Sequence, residues 1–362
     1  MLTARHKRWA MIAAGLLLSG AAVAFFIGKL KGNWQDFAAS FGRANYLYLI
    51  PAIGFIAVVY ALRVLRWRLF LSPLGKVAYR HIASATLIGF MSTCVLPLRP
   101  GEIIRPYVLH KRSGIRFGHA AGTAVGLERV FDLIGACFLL ILALVLMQTA
   151  APGSMGEGAS ALLAQMRRKG VWVGAAALVG LGGLTALAFA PAAMLRIAAF
   201  FLRALPKGRR APLMGFLESV THSMQFLRAP GRVLAAVALS LALWFCYPLS
   251  TYSLALGFGL SLPFVGALLA QVIITAAVAV PQAPGFIGVF SVAAMVGVQL
   301  FGVPKGDAAA FATMLWAINV FPITVVGLGV LWWEGLSLRA LTRESKEAAE
   351  EPNAEVRIRN SE

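Results

Sequence analysis

The sequence predicts an all-α polytopic membrane protein with about six full spans and two re-entrant helical hairpins of opposite orientation, arranged as an inverted repeat. Three observations lead there. Hydrophobic residues make up 59% of the 362-residue chain and charged residues 13%, about half the charged share of a soluble domain. Several apolar runs reach the ~20 residues that carry a helix across a bilayer. Two other apolar runs are interrupted by proline and glycine, one at Leu96-Pro97-Leu98-Arg99-Pro100-Gly101-Glu102 and one at Pro281-Gln282-Ala283-Pro284-Gly285-Phe286-Ile287-Gly288.

In chain order, the first span is residues 9–27. The basic Arg5-His6-Lys7-Arg8 before it imitates a secretion signal, but no small-residue cleavage site follows and Lys29 and Lys31 come next, so it reads as a retained signal-anchor. A polar connection, 28–45, leads to the second span, 46–65. That span runs into Arg63-Val64-Leu65-Arg66-Trp67-Arg68, where Arg63, Arg66, Trp67 and Arg68 suit an interfacial anchor at the headgroups. Residues 82–96 enter the first break, and the chain returns through Pro106 to Lys111 and Arg112. The span 121–147 carries Glu128, Arg129 and Asp132 near its start.

A Gly/Ala/Ser-rich loop, 148–165, precedes the span 171–190. The basic connection 191–232 repeats Leu213, Phe216, Leu217, Val220, Met224 and Leu227 at helical spacing, the pattern of an amphipathic surface helix. The span 233–256 follows. Residues 264–280 and 286–301 flank the second break, and 309–333 is the last span. Residues 1–342 thus form one transmembrane domain with halves at about 46–147 and 233–334. Residues 343–362 are charged, have little to bury, and read as a disordered cytoplasmic tail.

Charge placement selects the hairpins. If every apolar run crossed completely, the basic stretches 63–80 and 99–119 would lie on opposite faces, against the cytoplasmic preference of Lys and Arg. If the first broken run dips in from the cytoplasm and the second from the opposite side, both stretches are cytoplasmic. Lys29, Lys31, Arg43, Arg167, Arg168, Lys169 and Lys305 are then the basic residues left outside. Helix, hairpin, helix occurs twice in opposite senses, the plan of transporters whose broken helices meet at mid-membrane.

The formal charge of +19 would suggest nucleic acid in a soluble protein; here it belongs to loops facing an anionic leaflet, and no nucleic-acid partner is expected. Cys94, Cys137 and Cys246 lie in apolar runs without CxxC spacing, and the five histidines are scattered. No metal and no cofactor is therefore expected. Ionisable residues at membrane depth mark a pathway or a binding site. The hairpin breaks are Pro97, Pro100 and Gly101 in the first run and Pro281, Gln282, Pro284, Gly285 and Gly288 in the second. A helix restarting at Pro100-Gly101 aims free N–H groups at the cavity, and Arg99 adds a planar guanidinium suited to phosphate. Glu102 and Arg105 share a face with it, and Arg129 can reach Asp132. The predicted headgroup site is Arg99, Glu102, Arg105, Glu128, Arg129 and Asp132, the plainer alternative being a self-neutralising buried network.

Four stretches in this order resemble the flippase-like family related to the membrane region of lysylphosphatidylglycerol synthase: 63–68, 96–105, Glu128-Arg129-Val130-Phe131-Asp132 and Pro284-Gly285-Phe286-Ile287-Gly288. The likeness spans roughly residues 5–340. It implies a flippase or scramblase that moves a phospholipid or a polyprenyl-phosphate-linked lipid across the bacterial inner membrane. The charge-based topology puts both termini in the cytoplasm, the resemblance makes membrane lipids the partners, and the assembly is open, a homodimer included. The family often carries a second glycine and an acidic residue after the last Pro-Gly, where this chain has Phe286 and then Phe290-Ser291. The aminoacyl-transfer domain of two-part synthases is missing, so no enzymatic activity is expected. The competing readings are an intramembrane enzyme acting on lipid phosphates through Glu128 and Asp132, and a non-transporting scaffold subunit for a lipid-modifying enzyme.

Overall fold

Four stretches are long and apolar enough to cross a membrane as single helical units: Tyr46–Leu71, Phe117–Met147, Pro230–Gly257 and Lys305–Trp333. They stand in a computed structural model that describes residue 17 and residues 19–97, 99–149, 226–227, 229–279, 284–286 and 288–350. Among these residues the structure is helical, without strands. The helices in chain order are α1 (Ser19–Leu30), α2 (Trp34–Arg43), α3 (Leu49–Leu71), α4 (Tyr79–Val95), α5 (Gly101–Ser113), α6 (Phe117–Ala121), α7 (Glu128–Thr149), α8 (Pro230–Gly257), α9 (Phe264–Val278), α10 (Val289–Gln299), α11 (Lys305–Trp333) and α12 (Leu338–Glu350). A 3₁₀ turn, Tyr46–Tyr48, leads into α3, and a π-helical turn, Gly122–Leu127, joins α6 to α7. The chain is a multi-pass, all-α membrane protein.

Of the six expected spans, 171–190 lies outside the described residues and 9–27 lies partly outside them. So do Pro281 and Gln282, most of the amphipathic pattern in 191–232, and residues 351–362. Within the described residues three expectations change. The connection 28–45 contains a helix, α2, whose Phe41 packs edge-on against Phe258 at 5.8 Å. Its Arg43 meets Asp307 at 2.9 Å, and Ser40 bonds the same carboxylate. The second span continues to Leu71 rather than stopping at residue 65. Finally, the tail reading is corrected as far as Glu350. Residues from Leu338 form α12, which packs on α5 and buries Leu341 in the core around it.

Each broken run folds back on itself. The ends of the α4–α5 hairpin that lie away from its break come together at the foot of α11: Ser84 near the start of α4 and Arg112 near the end of α5 both bind Glu334, the latter at 3.1 Å. Lys111 and Tyr107 bond Glu344 of α12 at 3.0 and 2.8 Å. These bonds, Lys111 first, hold the Glu344 carboxyl below the usual carboxylate range. The α9–α10 hairpin opens at the other end of α11, where Phe258, just before α9, packs on Phe311 at 6.2 Å. Its broken end, Val278 and the turn Pro284–Phe286, faces the broken end of the first hairpin.

Glycine sets the spacing inside the first hairpin. A Cβ at Gly101 would lie 1.9 Å from the Gly89 carbonyl oxygen, and one at Gly89 would lie 2.5 Å from the Arg105 Cβ. The two backbones touch because neither residue has a side chain there. Gly101→Ala is expected to push α5 away from α4 and to lower stability by about 1–3 kcal/mol, the usual cost of overpacking. Thermal unfolding of the purified protein checks it, with Gly54→Ala, which meets open space in α3, as the neutral control.

Candidate functional site

Charge is gathered where α3, α5 and α7 face one another. On α7 the π-helical turn ends immediately before Glu128, and Trp67 Nε1 donates to Thr123 Oγ1 inside that turn at 3.0 Å. A π turn adds a residue to a helix and is frequent at functional sites because it re-aims the side chains that follow. Glu128 then accepts from both terminal nitrogens of Arg105, at 2.5 and 3.0 Å, with both side chains only 6% exposed. The Arg105 guanidinium lies 3.9 Å from the Trp67 ring centroid. One turn on, Asp132 accepts from Arg66 at 2.7 Å and has Arg63 at 3.7 Å. The second half of the chain completes the network: Arg66 donates to Ser240 at 2.9 Å, Arg63 to the Tyr247 hydroxyl at 3.3 Å, and Trp244 Nε1 to Asp132 at 3.4 Å.

This placement corrects the interfacial reading of the 63–68 stretch. Arg63, Arg66 and Trp67 are buried, Arg66 and Trp67 completely, and Arg68 alone of the four is exposed. The physical reason is pairing: carboxylates on α7 and polar groups on α8 make burial of these arginines affordable, so they turn inward instead of snorkelling to the headgroups. Arg129 does not take Asp132, which α3 already holds; it bonds Glu102 of α5.

All six predicted headgroup residues line one cavity of about 460 Å³, together with Arg63 and Gly101. Both hairpins contribute, since Phe90, Thr93 and Cys94 of α4 face Gln271, Thr275 and Val278 of α9, with Phe286 in the second break. Four arginines and three carboxylates lie in its wall. The Nε–H groups of Arg63, Arg66, Arg99 and Arg105 are buried without a hydrogen-bond partner among the described residues.

The Arg99 guanidinium reaches across the cavity, donates to the Val278 carbonyl in the last turn of α9, and lies 5.2 Å from the Phe286 ring centroid. The last carbonyls of a helix lack intrahelical partners and carry its negative pole, so a cation is favoured there. Arg99 (φ 53°) and Phe286 (φ 56°) are the non-glycine residues with left-handed backbone among the described residues. That conformation costs about 1–2 kcal/mol for a residue with a Cβ. The two strained residues sit at the two breaks and touch each other.

Of the other break residues, Pro97 and Pro100 lie between α4 and α5, and Gly101 begins α5. Pro284 and Gly285 lie in a turn in which Gly285 has φ 67° and its carbonyl accepts from Trp316 Nε1 at 2.6 Å. Gly288, with φ 86°, packs against Ser19 and Val23 of α1. Sequence reasoning missed Tyr60, Phe90, Ser240, Trp244, Tyr247, Gln271, Thr275 and Asn319. The signal for three of them was present: Ser240, Trp244 and Tyr247 fall at i, i+4 and i+7 and share one helical face.

Neither a curated protein nor a solved structure matches the chain. Among protein families, residues 12–327 match the lysylphosphatidylglycerol synthase TM region. The match takes in both hairpins, the buried arginine–carboxylate network and the cavity between them. This chain therefore belongs to the family of the lysylphosphatidylglycerol synthase TM region.

Proposed function

We propose that the protein is a lipid flippase or scramblase of the bacterial inner membrane, in which the headgroup passes through the cavity between the two hairpins while the acyl chains stay in the bilayer. The observation that carries this reading is Arg99. It is a cation at a break between two half-helices, in the wall of a cavity with more arginines than carboxylates, and its present partner is a neutral carbonyl. A phosphate carries full negative charge and can accept two parallel N–H bonds from one guanidinium, so it is a stronger partner for Arg99 than a neutral carbonyl. An entering headgroup therefore takes Arg99 from Val278, the contact between the two breaks is released, and the cavity can open to the other side. When the headgroup leaves, Arg99 returns to Val278. The sequence contains no nucleotide-binding motif, so movement is downhill or ion-coupled.

Helix packing supports the membrane arrangement that this mechanism needs, with both hairpins re-entrant and the halves inverted. If α3, α4, α5 and α7 correspond to α8, α9, α10 and α11, several of the contacts come in matching pairs, although α10 on α11 has no counterpart of similar extent between α5 and α7. α3 packs on α8, α4 on α11 as α9 on α7, and α4 on α5 as α9 on α10. The opening of the two hairpins at opposite ends of α11 supports the same arrangement. Cytoplasmic termini follow from the basic ends of α3 and α5. The enzymatic reading gains no support: Glu128 and Asp132, the carboxylates it would use, are both bound to arginines.

Two measurements test the proposal. Cysteines at Arg80 and Arg112 in a background lacking Cys94, Cys137 and Cys246 should react with an impermeant thiol reagent from one face, and a cysteine at the exposed Lys305 from the other. Labelling of Arg80 and Arg112 from opposite faces would sink the first hairpin. In proteoliposomes, acyl-labelled lipid placed in the inner leaflet should become accessible to an impermeant reductant. Protection of the inner pool for every phospholipid and polyprenyl-phosphate lipid tried, as in protein-free vesicles, would remove the transport reading.

A further inference from the structure

The two walls of the cavity differ in chemistry. On the wall built from α3, α5 and α7 each carboxylate is already committed: Glu128 to Arg105, Asp132 to Arg66 with Arg63 beside it, and Glu102 to Arg129. Arg66 stands fully buried behind the four arginines of the wall, so positive charge exceeds negative, and Arg99 has no carboxylate within 4.0 Å among the described residues. The wall built from α9 and α11 is uncharged and sets polar side chains among apolar ones such as Ile274, Val278 and Val320. It presents Gln271, Thr275 and Asn319.

Each of these neutral side chains has one donor engaged on its own helix. Asn319 Nδ2 donates to the Leu315 carbonyl at 2.8 Å, Gln271 Nε2 to Thr275 Oγ1 at 3.4 Å, and Thr275 Oγ1 to the Gln271 carbonyl at 2.8 Å. Among the described residues the side-chain carbonyl oxygens of Gln271 and Asn319 have no partner and each amide keeps a second N–H, so each can accept from and donate to a hydroxyl, which is itself both donor and acceptor. An ammonium group entering here would find no free carboxylate among the described residues and would sit in a field of its own sign, which is costly at low dielectric.

From this we infer that the cavity selects a phosphate-linked polyol, a glycerol or a sugar, over an amine-bearing headgroup. The inference rests on the cavity being the headgroup site. The phosphate lies at Arg99 and the hydroxyls at Gln271 and Asn319. Two lipid sources share this chemistry, a glycerol-headed phospholipid and a polyprenyl-phosphate sugar.

Cys94 lines the cavity and Cys137 does not, so peptide-resolved maleimide alkylation of the purified wild-type chain reads occupancy without a transport assay. The probes are glycerophosphoglycerol, a hexose 1-phosphate and glycerophosphoethanolamine, with Cys137 as the internal control. At least one polyol phosphate should protect Cys94 at a concentration about tenfold or more below that needed for glycerophosphoethanolamine, a difference of one good polar contact. Whichever polyol protects at the lower concentration identifies the source. Gln271→Glu and Asn319→Asp each place a carboxylate opposite the arginines, and at least one of them should move the preference towards the amine. Equal protection by all three probes in the wild type, or an unmoved preference in both variants, overturns the selectivity while leaving the headgroup site standing. Cys94 protected by none of them overturns both.

Discussion

Arg99→Gly should fold at least as stably as the wild type and translocate lipid about 10- to 100-fold more slowly. The rate loss corresponds to about 1.5–3 kcal/mol for a hydrogen bond to a charged group. The stability follows from the local structure. Arg99 has left-handed backbone, which glycine adopts without cost, and its hydrogen-bond partner is a carbonyl rather than a buried carboxylate. Removing it therefore orphans no acid: Glu102 keeps Arg129 and Asp132 keeps Arg66. Arg99→Lys retains charge but loses the planar fork and the stacking on Phe286, so its rate should fall between the two. Flux in proteoliposomes at matched protein density, together with thermal unfolding, checks both halves. Wild-type flux in well-folded Arg99→Gly would take this residue out of the mechanism.

The largest loss of stability is expected at Glu128. Glu128→Ala leaves the Arg105 guanidinium buried with its paired acid gone, for which the typical cost is about 3–5 kcal/mol. Because the wild-type pair also carries a desolvation penalty, the double variant Arg105→Met with Glu128→Leu should recover most of that loss. Transport should stay low in the double variant, since the cavity would lose a cation and gain two apolar side chains. A double variant as unstable as Glu128→Ala would mean that the ion pair is not what Glu128 supplies, and full transport in it would make the pair purely structural.

Much of this site was legible in one dimension because its chemistry is expensive. Charged residues inside apolar runs are rare enough to stand out, and Arg99, Glu102, Arg105, Glu128, Arg129 and Asp132 do converge on one cavity. The pairing was not legible. Arg63 and Arg66 follow an apolar run just as interfacial anchors do, and only the approach of α7 and α8 shows that acids and hydroxyls await them. The neutral wall was hidden for the opposite reason: Gln271 and Thr275 are too mildly polar to stand out within 264–280. α2 and α12 were missed because their residues are polar enough to resemble linkers. Their few buried side chains, such as Leu341, and their charge contacts with α5 and α11 appear only in three dimensions.

Arg99 also decides between binding and mere bracing, and the direct measurement is the position of a lipid phosphate in the full-length protein. A cryo-EM structure in nanodiscs containing the transported lipid should show phosphate density against the Arg99 guanidinium, with the contact to the Val278 carbonyl broken and Phe286 no longer stacked. Phosphate density elsewhere in the membrane domain, with Arg99 still bound to Val278 and Phe286, would contradict passage of the headgroup between the two hairpins.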